Sequence, residues 1–195
     1  DMLPADSLET VVELWHTIKD DDEFAGVCGL DGDLQGRVIG SGLPKGMIDA
    51  SALKIRNLYH VTGDMKEVFR TSVLREFPFP EVAGERFCPE ALVWNRIAQK
   101  YKLRYLNKII YTVDYQPSGI TSQIVRARMQ SPIASMMTYA EMTTFRDVLI
   151  RIRVRAAINY WRFGCCLTER HKREAASPIP SIAWYWKWVK PVGWA

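Results

Sequence analysis

The chain of 195 residues contains no run of 18 apolar residues, so no segment meets the usual criterion for a membrane-spanning helix. Residues 1–30 contain no basic-then-apolar stretch of the secretory kind. Cysteine is scarce: Cys28, Cys88 and the adjacent Cys165 and Cys166. None falls in a Cys-x-x-Cys pair and no histidine stands at ligand spacing, which argues against zinc and for thiols kept in a reducing compartment. His16 and His60 lack partners at ligand or triad spacing, and core or surface roles suit them better than catalysis. There is no P-loop, no Gly-x-Gly-x-x-Gly, no Ser/His/Asp order and no internal repeat. What remains is ordinary globular composition, 48% hydrophobic and 25% charged, which excludes disordered, collagen-like and disulfide-scaffold classes. A chain of this length fits one domain, or one domain with an appendage, and buries a core without disulfides.

The net charge of +4 conceals two unlike parts. Residues 1–122 carry 14 Lys and Arg against 18 Asp and Glu, a net of −4, whereas residues 123–195 carry 12 against 4, a net of +8. The second part also holds five of the seven tryptophans: Trp161, Trp184, Trp186, Trp188 and Trp194. A basic, tryptophan-rich tail behind a mildly acidic globular part suggests an anionic partner surface for the tail.

Apolar residues at Leu8, Val11, Val12, Leu14, Trp15 and Ile18 recur at helical spacing, with Pro4 or Asp6 near the start. Phe24–Gly29 reads as a short buried strand, followed by a turn through Asp31-Gly32-Asp33 and a second short strand. Residues 50–59 suit a helix, Gly63-Asp64 a turn, and Glu67–Arg70 a strand or a helix start. Pro89 or Glu90 suits the first turn of a helix running to about residue 101. Residues 102–107 and 109–115 alternate as two short strands, and a turn at 116–119 ends the globular part. Helices dominate beyond it, over 134–140 and 145–163, before Ser177-Pro178-Ile179-Pro180 breaks the chain. Strands interleaved with helices predict an α/β layered domain.

Two stretches resemble one family. Asp1-Met2-Leu3-Pro4-Ala5-Asp6-Ser7-Leu8-Glu9 is similar to the segment just after the Asp-x-Asp motif of inverting glycosyltransferases of family 2, which have the GT-A fold. Gly84-Glu85-Arg86-Phe87-Cys88-Pro89-Glu90 and the following Ala91–Ala98 resemble that family's acidic motif and the helix it opens. Gly63–Arg70 and Arg104–Tyr115 fit the same layout, so the resemblance covers about residues 1–122. It implies an incomplete GT-A (Rossmann-like) domain at 1–122, the acceptor-side half, followed by a helical extension at 123–195. The first βαβ unit and most of the Asp-x-Asp motif would lie before Asp1 in a longer protein, leaving this segment inactive alone.

By resemblance, Asp1 belongs to the cluster that holds a divalent cation, Mg²⁺ or Mn²⁺, against the donor diphosphate. Glu90 falls where the family places the carboxylate that deprotonates the acceptor hydroxyl. The resemblance puts Asp64 close to the donor pocket, Trp94 and Arg96 at the Trp-x-Arg end of the helix turn, and Glu85 second in line as base or acceptor contact. One departure is that the acidic motif reads Pro89-Glu90 rather than Glu-Asp, a side chain one methylene longer. The implied activity moves a sugar with inversion from a nucleotide-diphosphate donor, most simply a UDP-sugar, to a glycan or lipid-linked acceptor in envelope polysaccharide synthesis. The alternative is a non-catalytic membrane-surface module that keeps the fold.

Plainer roles stand beside these. Glu90 at the second helical position is also an ordinary first-turn carboxylate, Glu85 a solvated loop charge, and Asp31 and Asp33 turn residues around Gly32. In the tail, Arg146, Leu149, Ile150, Arg153, Val154, Ala157, Ile158, Trp161 and Arg162 form a basic amphipathic helix suited to a membrane interface. Trp184, Trp186 and Trp188 alternate beside Lys187 and Lys190 as in an aromatic belt, or as a strand, while a helix packed on the domain with core tryptophans is the plainer reading. Nucleic acid is disfavoured, because the basic residues alternate with aliphatics. The expected place is the cytoplasmic face of the membrane, peripherally bound.

Overall fold

In the computed structural model, residues 1–117, 119–174 and 179–193 are described. Trp194 and the Ser177-Pro178 break lie outside them. The chain is mixed α/β and divides into two compact units, 1–77 with 96–116, and 78–95 with 117–195. Residues 78–95, which the charge boundary at 122 leaves with the acidic part, thus group with the basic one.

In the first unit, α1 (Ser7–His16) precedes β1 (Phe24–Gly32), β2 (Met47–Ala50), α2 (Ala52–Asn57), β3 (Met65–Phe69) and α3 (Thr71–Glu76). The helix α4 (Glu90–Ala98), whose residues 90–95 group with the second unit, leads to β4 (Lys102–Thr112). The four strands make one mixed sheet in the order β2-β4-β1-β3, with β1 parallel to β4 and antiparallel to β3. Every residue of β1 is buried, as expected for the central strand of a covered sheet. Ile18, Phe24 and Val27 form a core cluster with Val11, Leu14 and Trp15, so the apolar stripe of α1 has the role its periodicity predicts.

Two expectations are corrected. Residues 102–115 are not two strands. A single strand runs from Lys102 to Thr112, and the polar pair Asn107-Lys108 marks an irregularity rather than a turn, because its register against β1 shifts between Cys28 and Leu30. Asp31 does not lie in a turn either. The strand β1 continues through Gly32, and the turn begins at Asp33, whose carboxylate accepts the Gln35 and Arg37 amides and the Arg37 guanidinium.

The second unit is helical, with a 3-10 turn at Ile120–Gln123, α5 (Ile124–Gln130), α6 (Pro132–Met142), α7 (Ile150–Gly164) and α8 (Glu169–Glu174). A 3-10 helix at Trp184–Val189 runs into α9 (Lys190–Gly193). The basic helix of the tail forms, starting at Ile150 rather than at 145 so that Arg146 and Leu149 precede it, and its apolar side is covered by protein. Tyr160 and Phe163 pack on Met136 and Ala140 of α6, and Ala157 packs on Trp186 and Val189. The rings of Tyr139 and Phe163 stack with centroids 5.7 Å apart. The alternating tryptophans form no strand. With three residues per turn, positions 186 and 189 face α7 while 185 and 188 share a face turned outward.

Candidate functional site

Parallel strands of an α/β sheet offer ligands their carboxyl ends, where the backbone leaves the sheet and loops supply side chains. In the first unit that edge is the end of β1 at Asp31 and Gly32, beside the end of β4 at Tyr111 and Thr112. Because β3 runs antiparallel, its start at Asp64-Met65 lies at the same edge, and Leu30 pairs with Met65. The amino-terminal segment joins there too, through a pair of backbone hydrogen bonds between Met2 and Thr112.

These constraints gather Asp1, Asp31, Asp64 and Asp114 with Lys66, Tyr111 and Tyr115. The carboxylate of Asp1 accepts the Tyr111 hydroxyl at 3.3 Å and the Asp114 amide at 3.2 Å. Tyr115 donates its hydroxyl to Asp64 at 2.5 Å, and this bond pushes the phenol up to about 12. The Lys66 ammonium lies 3.6 Å from the centroid of the Tyr111 ring. Asp1 and Asp64, named from distant parts of the sequence, are thus brought to one rim, and both are exposed.

Asp31 is the residue of this rim that sequence reasoning discounted. Only 4% of it is exposed, and its Oδ1 is buried without a hydrogen-bond partner. Burial raises its pKa to about 6, against the pull of Lys66 and with a further push from Asp64. The folded state therefore holds a proton that the unfolded state has released between about pH 4 and pH 6, so Asp31 subtracts stability as pH rises through that window. Asp31→Asn removes the charge at constant size. It is expected to gain on the order of 1–2 kcal/mol at neutral pH and nothing near pH 4. Urea unfolding of both proteins across this range measures the difference, and a gap independent of pH contradicts the assignment.

The other predicted residues fall elsewhere. Glu90 opens α4 and is exposed, so its carboxylate stands at the amino end of a helix and open to solvent. Trp94 meets Phe79 edge-on at 5.7 Å within the second unit, and Arg96 is half-buried in the first. Both oxygens of Glu85 are engaged: they accept the amides of Ile133 at 2.6 Å and Ala134 at 2.9 Å, capping the start of α6 behind Pro132. Burial raises the pKa of Glu85, while those two amides act against the rise. A cleft of about 580 Å³ in the second unit is walled by Pro80–Ala83, Glu85–Cys88 and Ala134, so the loop that ends one residue before Pro89-Glu90 lines it.

For a divalent cation, the rim offers oxygen donors only, the set that Mg²⁺ and Mn²⁺ prefer. Among the described residues no three His, Cys, Asp or Glu side chains converge closely enough to hold an ion.

No family model, curated protein or solved structure matches the chain.

Proposed function

We propose that the chain is the acceptor-side part of an inverting glycosyltransferase of family 2 with a GT-A fold, acting on a nucleotide-diphosphate sugar. The observation that carries this reading is the carboxylate rim. Asp1 and Asp64, 63 positions apart in sequence, sit with Asp31 and Asp114 at the carboxyl ends of the parallel pair β1–β4, where a nucleotide-type sheet takes its ligand.

Inverting transfer is a single displacement. The acceptor oxygen bonds to the anomeric carbon as the bond from that carbon to the diphosphate oxygen breaks. The acceptor proton must go to a base, the role that the resemblance gives to Glu90. An exposed carboxylate in a helix first turn is reachable by a bulky acceptor. A divalent cation, when bound, stabilises the charge on the departing diphosphate, and Asp1 would hold it. Asp64, fixed by Tyr115, faces the donor side. Trp94 and Arg96 lie on the helix that Glu90 opens, and the cleft beside Cys88 admits a glycan or lipid-linked acceptor.

The non-catalytic alternative draws support from the aromatic surface of the second unit, which needs no chemistry. Thermal unfolding of the full-length protein separates the two. UDP with Mn²⁺ is expected to raise the midpoint by several degrees, about what ligand at a hundred times Kd contributes. A rise that Asp1→Asn and Asp64→Asn diminish supports the transferase, and an unchanged midpoint with every nucleoside diphosphate favours the module.

A further inference from the structure

Among the described residues no helix is long and apolar enough to cross a membrane. The apolar side of α7 is unavailable, being packed on α6 and on the 184–193 segment. That segment presents a surface of its own. Trp184 is 78% exposed and Trp188 66%, with Tyr185 and Val192 about half exposed beside them. Large exposed aromatics clustered within nine residues are not ordinary surface.

The cluster is held outward by its neighbours. Trp186 and Val189 are buried against Ala157, Val154 and Ile158, and the Trp161 indole donates to the Trp186 carbonyl at 3.3 Å. The three-residue period then leaves Tyr185 and Trp188 on one outward face and Trp184 and Lys187 on another. Trp184 and Tyr185 pack edge-on at 6.0 Å. Two indoles, a phenol and an exposed ammonium on a rigid short helix form the side-chain set that partitions into the headgroup region of a bilayer.

Charge points to the same occupant. The 123–195 region carries a net +8, and Arg146, Arg151, Arg155 and Arg162 are exposed besides Lys187. A region so charged, with the exposed Lys187 inside the aromatic cluster, is drawn to anionic lipid. We infer that the second unit docks peripherally on an anionic bilayer through Trp184, Tyr185, Trp188 and Val192, with Lys187 at the headgroups and α7 serving as the scaffold rather than the membrane helix.

The test is co-sedimentation of the full chain with vesicles of phosphatidylcholine alone or mixed with phosphatidylglycerol. The wild type is expected in the pellet with the mixed vesicles. Raised salt should weaken binding without abolishing it, since the aromatic part is uncharged. The double substitution Trp184→Ser with Trp188→Ser should lower partitioning about tenfold or more and leave the unfolding midpoint in place, because both side chains are exposed. Substitution of Ile150, 64% exposed on α7, should change binding little. Recovery in the supernatant whether or not anionic lipid is present overturns the inference. So does a double variant that binds as the wild type does. Sedimentation velocity showing a dimer that the double variant dissociates, with no vesicle binding, would assign the patch to a second copy and overturn it as well.

Discussion

Gly63→Ala is expected to destabilise the first unit by more than about 3 kcal/mol, enough to cost a domain of this size much of its folded population. Gly63 has φ 88°, and a Cβ built on it falls 2.1 Å from the Ile39 carbonyl oxygen and 2.6 Å from the Gly40 Cα. Gly40 has φ 99° and meets the same obstacle from the other side, with a Cβ 2.0 Å from the Thr62 oxygen. The two loops lie back to back, and every obstructing atom belongs to the backbone, so no rotamer change relieves the collision. The left-handed conformation adds about 1–2 kcal/mol for any residue with a Cβ. The Arg56 guanidinium donates to the carbonyls of Val61 and Gly63, holding this loop where it launches Asp64 into the rim. Gly36→Ala is the control: it shares a positive φ, 75°, but has open space around the new methyl. Urea unfolding of both variants tests the account, and equal losses would contradict it.

Glu90→Gln is expected to lower the rate of sugar transfer by about 10²–10⁴, the usual contribution of a positioned base, with the unfolding midpoint unchanged. Glutamine keeps the shape and removes the proton acceptor. Glu85→Gln is the matched comparison. Its carboxylate accepts two backbone amides, and an amide side chain can accept only on its oxygen, so this variant should lose stability at the start of α6. If Glu90 is the base, rate and stability separate between the two variants. A Glu90→Gln enzyme within tenfold of the wild-type rate would move the base elsewhere.

Much of the fold is legible locally, and the misses have physical reasons. The α1 stripe, the apolar start of β1, the helix after Pro89 and the basic helix α7 are all visible as periodicity. The strand β2 is four residues long and too short to announce itself. Asp31-Gly32-Asp33 has turn composition, yet β1 runs through the first two, because Tyr111 and Thr112 of β4 pair with them on one side and Val38 and Ile39 bond on the other; that information is not local. Asn107-Lys108 misleads in the same way, since a polar pair inside a strand marks an irregularity as readily as a turn. Spacing of two among the tryptophans suggests a strand, but Lys190-Pro191 and the packing of Trp186 on α7 favour a three-residue period. Of the candidate site, Asp1 and Asp64 are reached through the family resemblance. Asp31 is missed because nothing in Asp-Gly-Asp shows that its first carboxylate is buried and the other held by Arg37.

The central claim is that the rim serves a nucleotide-diphosphate sugar. The most direct test is nucleoside diphosphate release by the full-length protein from a panel of sugar nucleotides, UDP-sugars first, with Mn²⁺ or with EDTA. The account predicts release from at least one donor, abolished by chelation and restored by added Mn²⁺. A folded protein that releases nothing from any donor, with the metal present and a glycan or lipid-linked acceptor supplied, would contradict it.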